Sequence, residues 1–350
     1  MFIDIHAHAY WQECPPADGR TRFAAPGEVI RRYDELGIER GALLPLIGPE
    51  TYLPQSNEDI LRMCADSGGR LFPFFNIDPR GMTNAPDAPL DIWMRHYIDR
   101  GCRGLGEIMP NLPFLDPRCQ NLFKHAEAAG LPLVFDISHV LGTGYGFYDD
   151  PGLPQLEQTL RNFPRLNILG HGPAFWAEIA RLETPADRGG YPRYPVMEEG
   201  VAIKLFRRYR NLWGDLSAGS GFNALARDRA HAARFLDEFQ DRLLFGTDIC
   251  TAAQELPLAG FLKELKAGGL LSETAFAKIA RENAVRLLNL PETPLTGKRT
   301  GSACPNYRGK AVISCRRPDR VLFSGRKPKP ACRGSRRPAG RRARDEEKTW

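Results

Sequence analysis

Residues 2–8 read Phe2-Ile3-Asp4-Ile5-His6-Ala7-His8. A short, β-rich, mostly apolar run leads into two histidines spaced i, i+2, which on a strand share one face. Runs of the same texture recur at 41–47, 71–77, 104–108, 133–137, 166–169, 212–216 and 243–247. Helical spacing of apolar residues falls between most of them, at 28–36, 57–67, 90–100, 119–129, 154–162, 175–182 and 231–239. The series closes at 272–288, behind a capping-box-like Ser272-Glu273. Eight β-then-α units in about 290 residues predict an α/β chain folded as a (β/α)8 TIM barrel. Alternation alone also fits a doubly wound open sheet. No G-x-G-x-x-G follows the first run, which weighs against that alternative.

With 350 residues, 42% of them hydrophobic, the chain can bury a sizeable core. No run approaches the eighteen or so apolar residues of a membrane span. The start lacks a basic segment followed by an apolar stretch, so no secretory signal is expected and a cytoplasmic address is. Cys14, Cys64, Cys102, Cys119, Cys250, Cys304, Cys315 and Cys332 are scattered without a C-x-x-C pair. Neither a zinc knuckle nor a disulfide framework is indicated.

The net charge of +6 hides a split. Residues 293–350 carry 17 Lys+Arg against 4 Asp+Glu, whereas 1–292 carry 31 against 38. The barrel domain is therefore placed at 1–292, and the Arg/Pro/Gly-rich 293–350 is expected to be a disordered tail. Three readings of the tail stand: a nucleic-acid-binding arm, a solvated end, or the product of a reading-frame shift near Thr296. The tail lacks aromatic interleaving and the body is acidic, so nucleic acid is not the expected partner. A small molecule is, no membrane is, and a homo-oligomer stays open.

The residues with metal-binding chemistry fall at the ends of the β runs. His6 and His8 close the first, Glu107 ends the fourth, His139 follows the fifth, His171 the sixth and Asp248 the eighth. Strand C-termini are where barrels gather catalytic groups, and imidazoles with a carboxylate suit zinc and similar divalent ions. Singly, each has an ordinary structural reading. An imidazole can be satisfied in a core, Asp248 can bond loop amides, and Glu107 can hold a ligand histidine in place. Jointly, they predict a metal site.

The chain resembles the amidohydrolase superfamily, and most of all the amidohydrolase-related branch that includes aminocarboxymuconate-semialdehyde decarboxylase and related metal-dependent hydrolases. The resemblance covers about residues 1–290 and rests on five stretches. They are residues 2–8, Phe135-Asp136-Ile137-Ser138-His139, Ile168-Leu169-Gly170-His171-Gly172, Leu244-Phe245-Gly246-Thr247-Asp248, and the closing Arg281-Glu282-Asn283-Ala284-Val285-Arg286-Leu287-Leu288. It implies His6, His8 and His139 as ligands, and Asp248 as ligand, base for a water, or both. It implies that His171 takes a second metal or polarises substrate and shuttles a proton. Glu107 stands where many binuclear members carry a carbamylated lysine, and TatD-like deoxyribonucleases have a similar Gly-Glu pair. One ion, foremost Zn2+, is expected, with a second open. The implied reaction is hydrolysis of an amide, ester or lactone, with Asp248 and His171 catalytic; non-oxidative decarboxylation of an aromatic or unsaturated acid is the alternative. Tyr10, Trp11, Tyr145, Phe175, Trp176 and Arg193 are expected to line the pocket. Residues 183–200 are expected to form a lid, with Arg188 or Arg193 pairing a substrate carboxylate.

Overall fold

The computed structural model describes residues 1–12, 22–51 and 55–292; the tail 293–350 and its three readings lie outside the described residues. Eight short parallel strands form the wall: β1 (Phe2–Ala7), β2 (Ile38–Leu43), β3 (Leu71–Pro73), β4 (Leu105–Ile108), β5 (Leu133–Phe135), β6 (Ile168–Gly170), β7 (Leu212–Asp215) and β8 (Leu243–Leu244). β1–β3 make one ladder and β4–β8 another. A Phe75–Leu105 bridge joins them on one side, where the Gly106 N–H donates to the Phe75 carbonyl at 2.8 Å. An Ala7–Ile249 bridge closes the other, where the His8 N–H donates to the Ile249 carbonyl at 2.9 Å. The result is a closed TIM barrel.

Alternation along the strands sorts the core. Ile3, Ile5, Ala42, Leu44, Phe74, Val134, Leu169, Trp213 and Leu244 pack together inside, with Ala284, Leu288 and Leu290 from the closing helical segment against them. Phe2, Ala7, Leu43, Leu133, Phe135, Ile168, Leu212 and Leu243 belong to the larger cluster shared with the surrounding helices. Glycine lets helices approach the wall closely: a Cβ on Gly170 would lie 2.4 Å from the Phe175 ring, and one on Gly41 2.2 Å from the Tyr33 hydroxyl.

Three register shifts interrupt the ladders, one of them an extra residue of β2 between Ile38 and Arg40, opposite Phe2 and Ile3. β1 pairs Asp4 with Gly41 but Ala7 with Leu43, so β1 holds one extra residue there. β4 does the same between Leu105 and Ile108, which pair with Leu133 and Phe135. Such bulges re-aim side chains, and those of β1 and β4 carry His6 and Glu107.

Helices at Pro26–Leu36, Asn57–Asp66, Asp91–Ile98, Pro117–Ala129, Pro154–Asn162 and Arg229–Glu238 fall where the spacing predicts them, with shifts at their ends. The 175–182 segment is the short helix Pro173–Ala177. Val201–Arg208, Ala218–Ala226 and Leu258–Ala267 are helices that the sequence reading did not include. The closing helix is interrupted by a π turn at Lys278–Glu282. Among the described residues, no helix is long and apolar enough to cross a membrane.

Candidate metal centre

Six strand ends deliver polar side chains to the barrel mouth. His6 and His8 come from β1 and beyond it, Glu107 from β4, Asp136 from just after β5, His171 from just after β6, Asp215 from the end of β7 and Asp248 from the turn after β8. All but Asp248 are buried. Among the described residues, three groups hold ligand atoms within 4.8 Å of one another: His6, His8 and Asp248; His6, His171 and Asp215; and Glu107, Asp136 and His171.

Hydrogen bonds orient the imidazoles. His6 Nδ1 lies 2.6 Å from Asp215 Oδ2, and His8 Nδ1 lies 2.9 Å from the Leu44 carbonyl. An Nδ1–H given to those acceptors leaves each Nε2 lone pair free and turned inward. His171 Nδ1 sits 3.2 Å from the same Asp215 oxygen and 3.1 Å from Ser217 Oγ. Asp215 thus serves two imidazoles through one oxygen, and its other oxygen accepts the Ser217 N–H at 3.0 Å.

The inward atoms fit a cation. His6 Nε2 and His8 Nε2 are 3.1 Å apart; Glu107 Oε2 is 3.6 Å from each, and Asp248 Oδ1 is 3.6 Å and 3.2 Å from them. A tetrahedral ion with arms of about 2.0–2.2 Å needs ligand–ligand edges of about 3.3–3.6 Å. The second oxygens face the other way. Glu107 Oε1 is 3.7 Å and Asp248 Oδ2 4.0 Å from His171 Nε2, with Asp136 in reach of Glu107 and His171.

Charge supports the fit. Four carboxylates meet three imidazoles, and among the described residues no Arg or Lys forms an ion pair with any of the four. Burial opposes charge on Asp215, Glu107 and Asp248, but the imidazoles outweigh it and hold all three below the usual carboxylate range, Asp248 at about 2. Burial and the Glu107 charge push Asp136 up to about 8. Burial and His6 oppose a proton on His171, yet Asp215 and Glu107 lift it to about 9. Burial likewise opposes charge on His6, which Asp215 and Asp248 raise well above the ordinary value. Without a cation, protons supply the counter-charge; a cation would displace them.

The structure brings together His6, His8, Glu107, His171 and Asp248. It does not bring His139. β5 ends at Phe135, and the chain turns into a small ladder of Ile137–Ser138 with Phe147–Tyr148. His139 lies exposed beyond that ladder, so close to Gly189 that a Cβ there would be 2.6 Å from its ring. Asp136 takes the place at the end of β5. Neither Asp136 nor Asp215 is among the site residues expected from the sequence, although both stand near the end of a β run as Glu107 and Asp248 do. Their signal was position, immediately after or at the end of a β run.

The pocket residues divide. Phe175 and Trp176 are buried behind the wall among Phe135, Phe206 and Phe235, and the Trp176 Nε1–H donates to the Asp215 carbonyl at 2.9 Å. They support the site from outside and do not line it. Arg188 is also buried, paired with Glu178 at 2.5 Å and donating to the Asp149 carbonyl at 2.7 Å, so it anchors 183–200 and is turned away from solvent. Arg193 is exposed. Tyr10 is buried with its ring 4.7 Å from Phe23, and Trp11 lies under the Arg62 guanidinium. Tyr145 and Tyr191 are about half exposed, at 54% and 51%. The Asp136 charge and burial push the Tyr145 hydroxyl up, and burial with Asp248 and Asp136 does the same for Tyr191. The carboxylate charges of the centre thus act on both hydroxyls.

A profile of the family described as Amidohydrolase matches residues 3–290. No curated protein matches. Similar solved structures include a probable 2-pyrone-4,6-dicarboxylic acid hydrolase from Acinetobacter baumannii with citric acid bound, at 14% identity and TM-score 0.53, covering 83% of this chain and 99% of that one. A 5-carboxyvanillate decarboxylase from Sphingomonas paucimobilis matches at 15% and 0.53, with 83% and 99% covered. A 2,6-dihydroxybenzoate decarboxylase from Rhizobium matches at 18% and 0.50, with 82% and 98% covered. At these identities the likeness is one of fold.

Proposed function

The chain belongs to the amidohydrolase family, and from that premise we propose that this enzyme hydrolyses a C–O or C–N bond (ester, lactone or amide) in a small organic acid. The observation that carries the reading is the placement of Asp248. One of its oxygens lies 3.2 Å from His8 Nε2, and the other faces His171 Nε2 at 4.0 Å.

His6, His8, Glu107 and Asp248 would hold one divalent ion. Glu107, Asp136 and His171 would hold a second, with Glu107 shared. Mixed imidazole and carboxylate donors suit Zn2+ foremost. A cation there supplies Lewis acidity, stabilising charge on substrate oxygens and making water acidic enough to ionise near neutral pH. The residues do the rest. Asp248, ionised at neutral pH, accepts the proton of the attacking water and returns it to the leaving group. With one ion bound, His171 would keep its proton on Nε2 and donate a hydrogen bond from it to the oxygen on which charge develops. Asp215 fixes the orientation of both His6 and His171. Tyr145 and Tyr191, from the segments that follow β5 and β6, would contact the substrate.

Decarboxylation is the second reading, favoured by two of the similar structures being decarboxylases. There, His171 would protonate the carbon that loses carbon dioxide. The test is metal content of the native full chain by plasma mass spectrometry, followed by a panel of lactones, esters, amides and aromatic acids. Acid release without carbon dioxide supports hydrolysis. Carbon dioxide release transfers the assignment to decarboxylation. A folded chain that takes up no divalent ion from excess Zn2+ or Mn2+ removes both.

A further inference from the structure

We propose that Asp4 is a positioning residue: its carboxylate holds the β1 bulge that turns His6 and His8 into the barrel, and ties that bulge to the turn carrying Asp248. The inference rests on the reading of this site as a cation centre. Simple alternation would put Ile3 and Ile5 on one face and Asp4, His6 and His8 on the other. Yet Ile3 and Ile5 pack inside the barrel, and His6 and His8 also point in. The extra residue between Asp4 and Ala7 reconciles the two. A one-residue slip reverses every later side chain, so without the bulge the histidines would face the helices.

Asp4 receives one backbone N–H from the bulge and one from the turn after β8. Its Oδ1 accepts the His6 N–H and the Thr247 N–H, both at 2.9 Å, and its Oδ2 accepts the Thr247 hydroxyl at 2.5 Å. Thr247 Oγ1 in turn accepts the Ile249 N–H at 3.2 Å, and the Asp248 N–H donates to the His6 carbonyl at 2.7 Å. Asp248 itself has φ 52°, a left-handed conformation that a non-glycine residue keeps only when its surroundings over-determine it. The bonds on either side of it do so. Asp4 is fully buried and its carboxylate is directed away from the cation donors, toward Thr247 and the Tyr33 side.

The variants separate hydrogen bonding from charge. In Asp4→Asn, the amide oxygen still accepts both N–H groups and the amide nitrogen donates to Thr247 Oγ1. Thr247→Val removes the hydroxyl at unchanged volume, and Asp4→Ala removes the acceptor altogether. Full-length proteins are titrated with Co2+, whose visible absorption reports coordination geometry, and amide hydrogen exchange is followed on the metal-free forms. Asp4→Asn is expected to bind Co2+ within about twofold of the native chain, whereas Thr247→Val and Asp4→Ala lose about 10- to 100-fold. Exchange at 246–249 speeds up in Thr247→Val and not in Asp4→Asn. Native affinity and exchange in Thr247→Val overturn the proposal, as does an Asp4→Asn protein as impaired as Asp4→Ala. If the native chain takes no Co2+, the cation reading fails, and hydrogen exchange alone decides whether Asp4 holds the bulge.

Discussion

Replacing Asp215 by Asn isolates its charge, because the two side chains share a shape. The amide oxygen can keep the Ser217 N–H, now accepted by Oδ1 at 3.0 Å. The NH2 group then faces His6 Nδ1 and His171 Nδ1, at the place where Oδ2 lies 2.6 Å and 3.2 Å away. A donor meets two donors. His6 relieves the clash by moving its proton to Nε2, which removes the lone pair a cation would use. A hydrogen bond to a charged group contributes about 1.5–3 kcal/mol, so losing the His6 bond should weaken Zn2+ binding by about 10- to 150-fold. The assay is competition with a chromophoric chelator near neutral pH, with thermal melting as the control for folding. Unchanged Zn2+ affinity in a normally melting variant would refute the claim that Asp215 sets the His6 tautomer.

The metal-free protein should have a pH optimum of stability on the acid side of neutrality. Protons gained on folding by His171 (raised to about 9) and Asp136 (to about 8) stabilise it at low pH, and that stability fades as pH climbs through those values. Asp248, Asp215 and Glu107 act oppositely, so stability also falls as pH drops from about 4 toward 2. Denaturant midpoints measured across pH with a chelator present check this, and added Zn2+ should flatten the alkaline limb; a flat metal-free profile contradicts it. Arg188→Ala leaves the Glu178 carboxylate buried without its cation and should cost about 3–5 kcal/mol in urea unfolding, against a much smaller loss for Arg193→Ala. His139→Ala should keep the metal content of the native chain by plasma mass spectrometry, and His8→Ala should lose it.

The barrel was legible because both periods are strong in this chain, and its short strands still carry bulky apolar residues on both faces. Boundaries were less legible: β8 comprises only Leu243–Leu244, since its continuation, 245–249, belongs to the turn that presents Asp248. The helix Val201–Arg208 escaped notice because it directly follows a loop rich in Pro and Gly. At the site, residue type combined with strand-end position located His6, His8, Glu107, His171 and Asp248. His139 was misplaced because the run 133–137 continues in sequence past the point where β5 leaves the wall. Phe175 and Trp176 follow His171 closely, but helix Pro173–Ala177 turns them toward Phe206 and Phe235. The bulges in β1 and β4 left no mark that a period-2 reading could detect.

The seam between β1 and the turn after β8 joins positions 241 and 243 residues apart in the chain. Contacts of that span are entropically the most expensive to close and are expected to form late in folding. During synthesis, His6 and His8 leave the ribosome long before Asp248 exists, so the nascent chain passes most of its elongation with two imidazoles and no completed cage. On the cation reading, tight ion capture would require a closed barrel, because the donors of β1 and of the turn after β8 meet only across this seam.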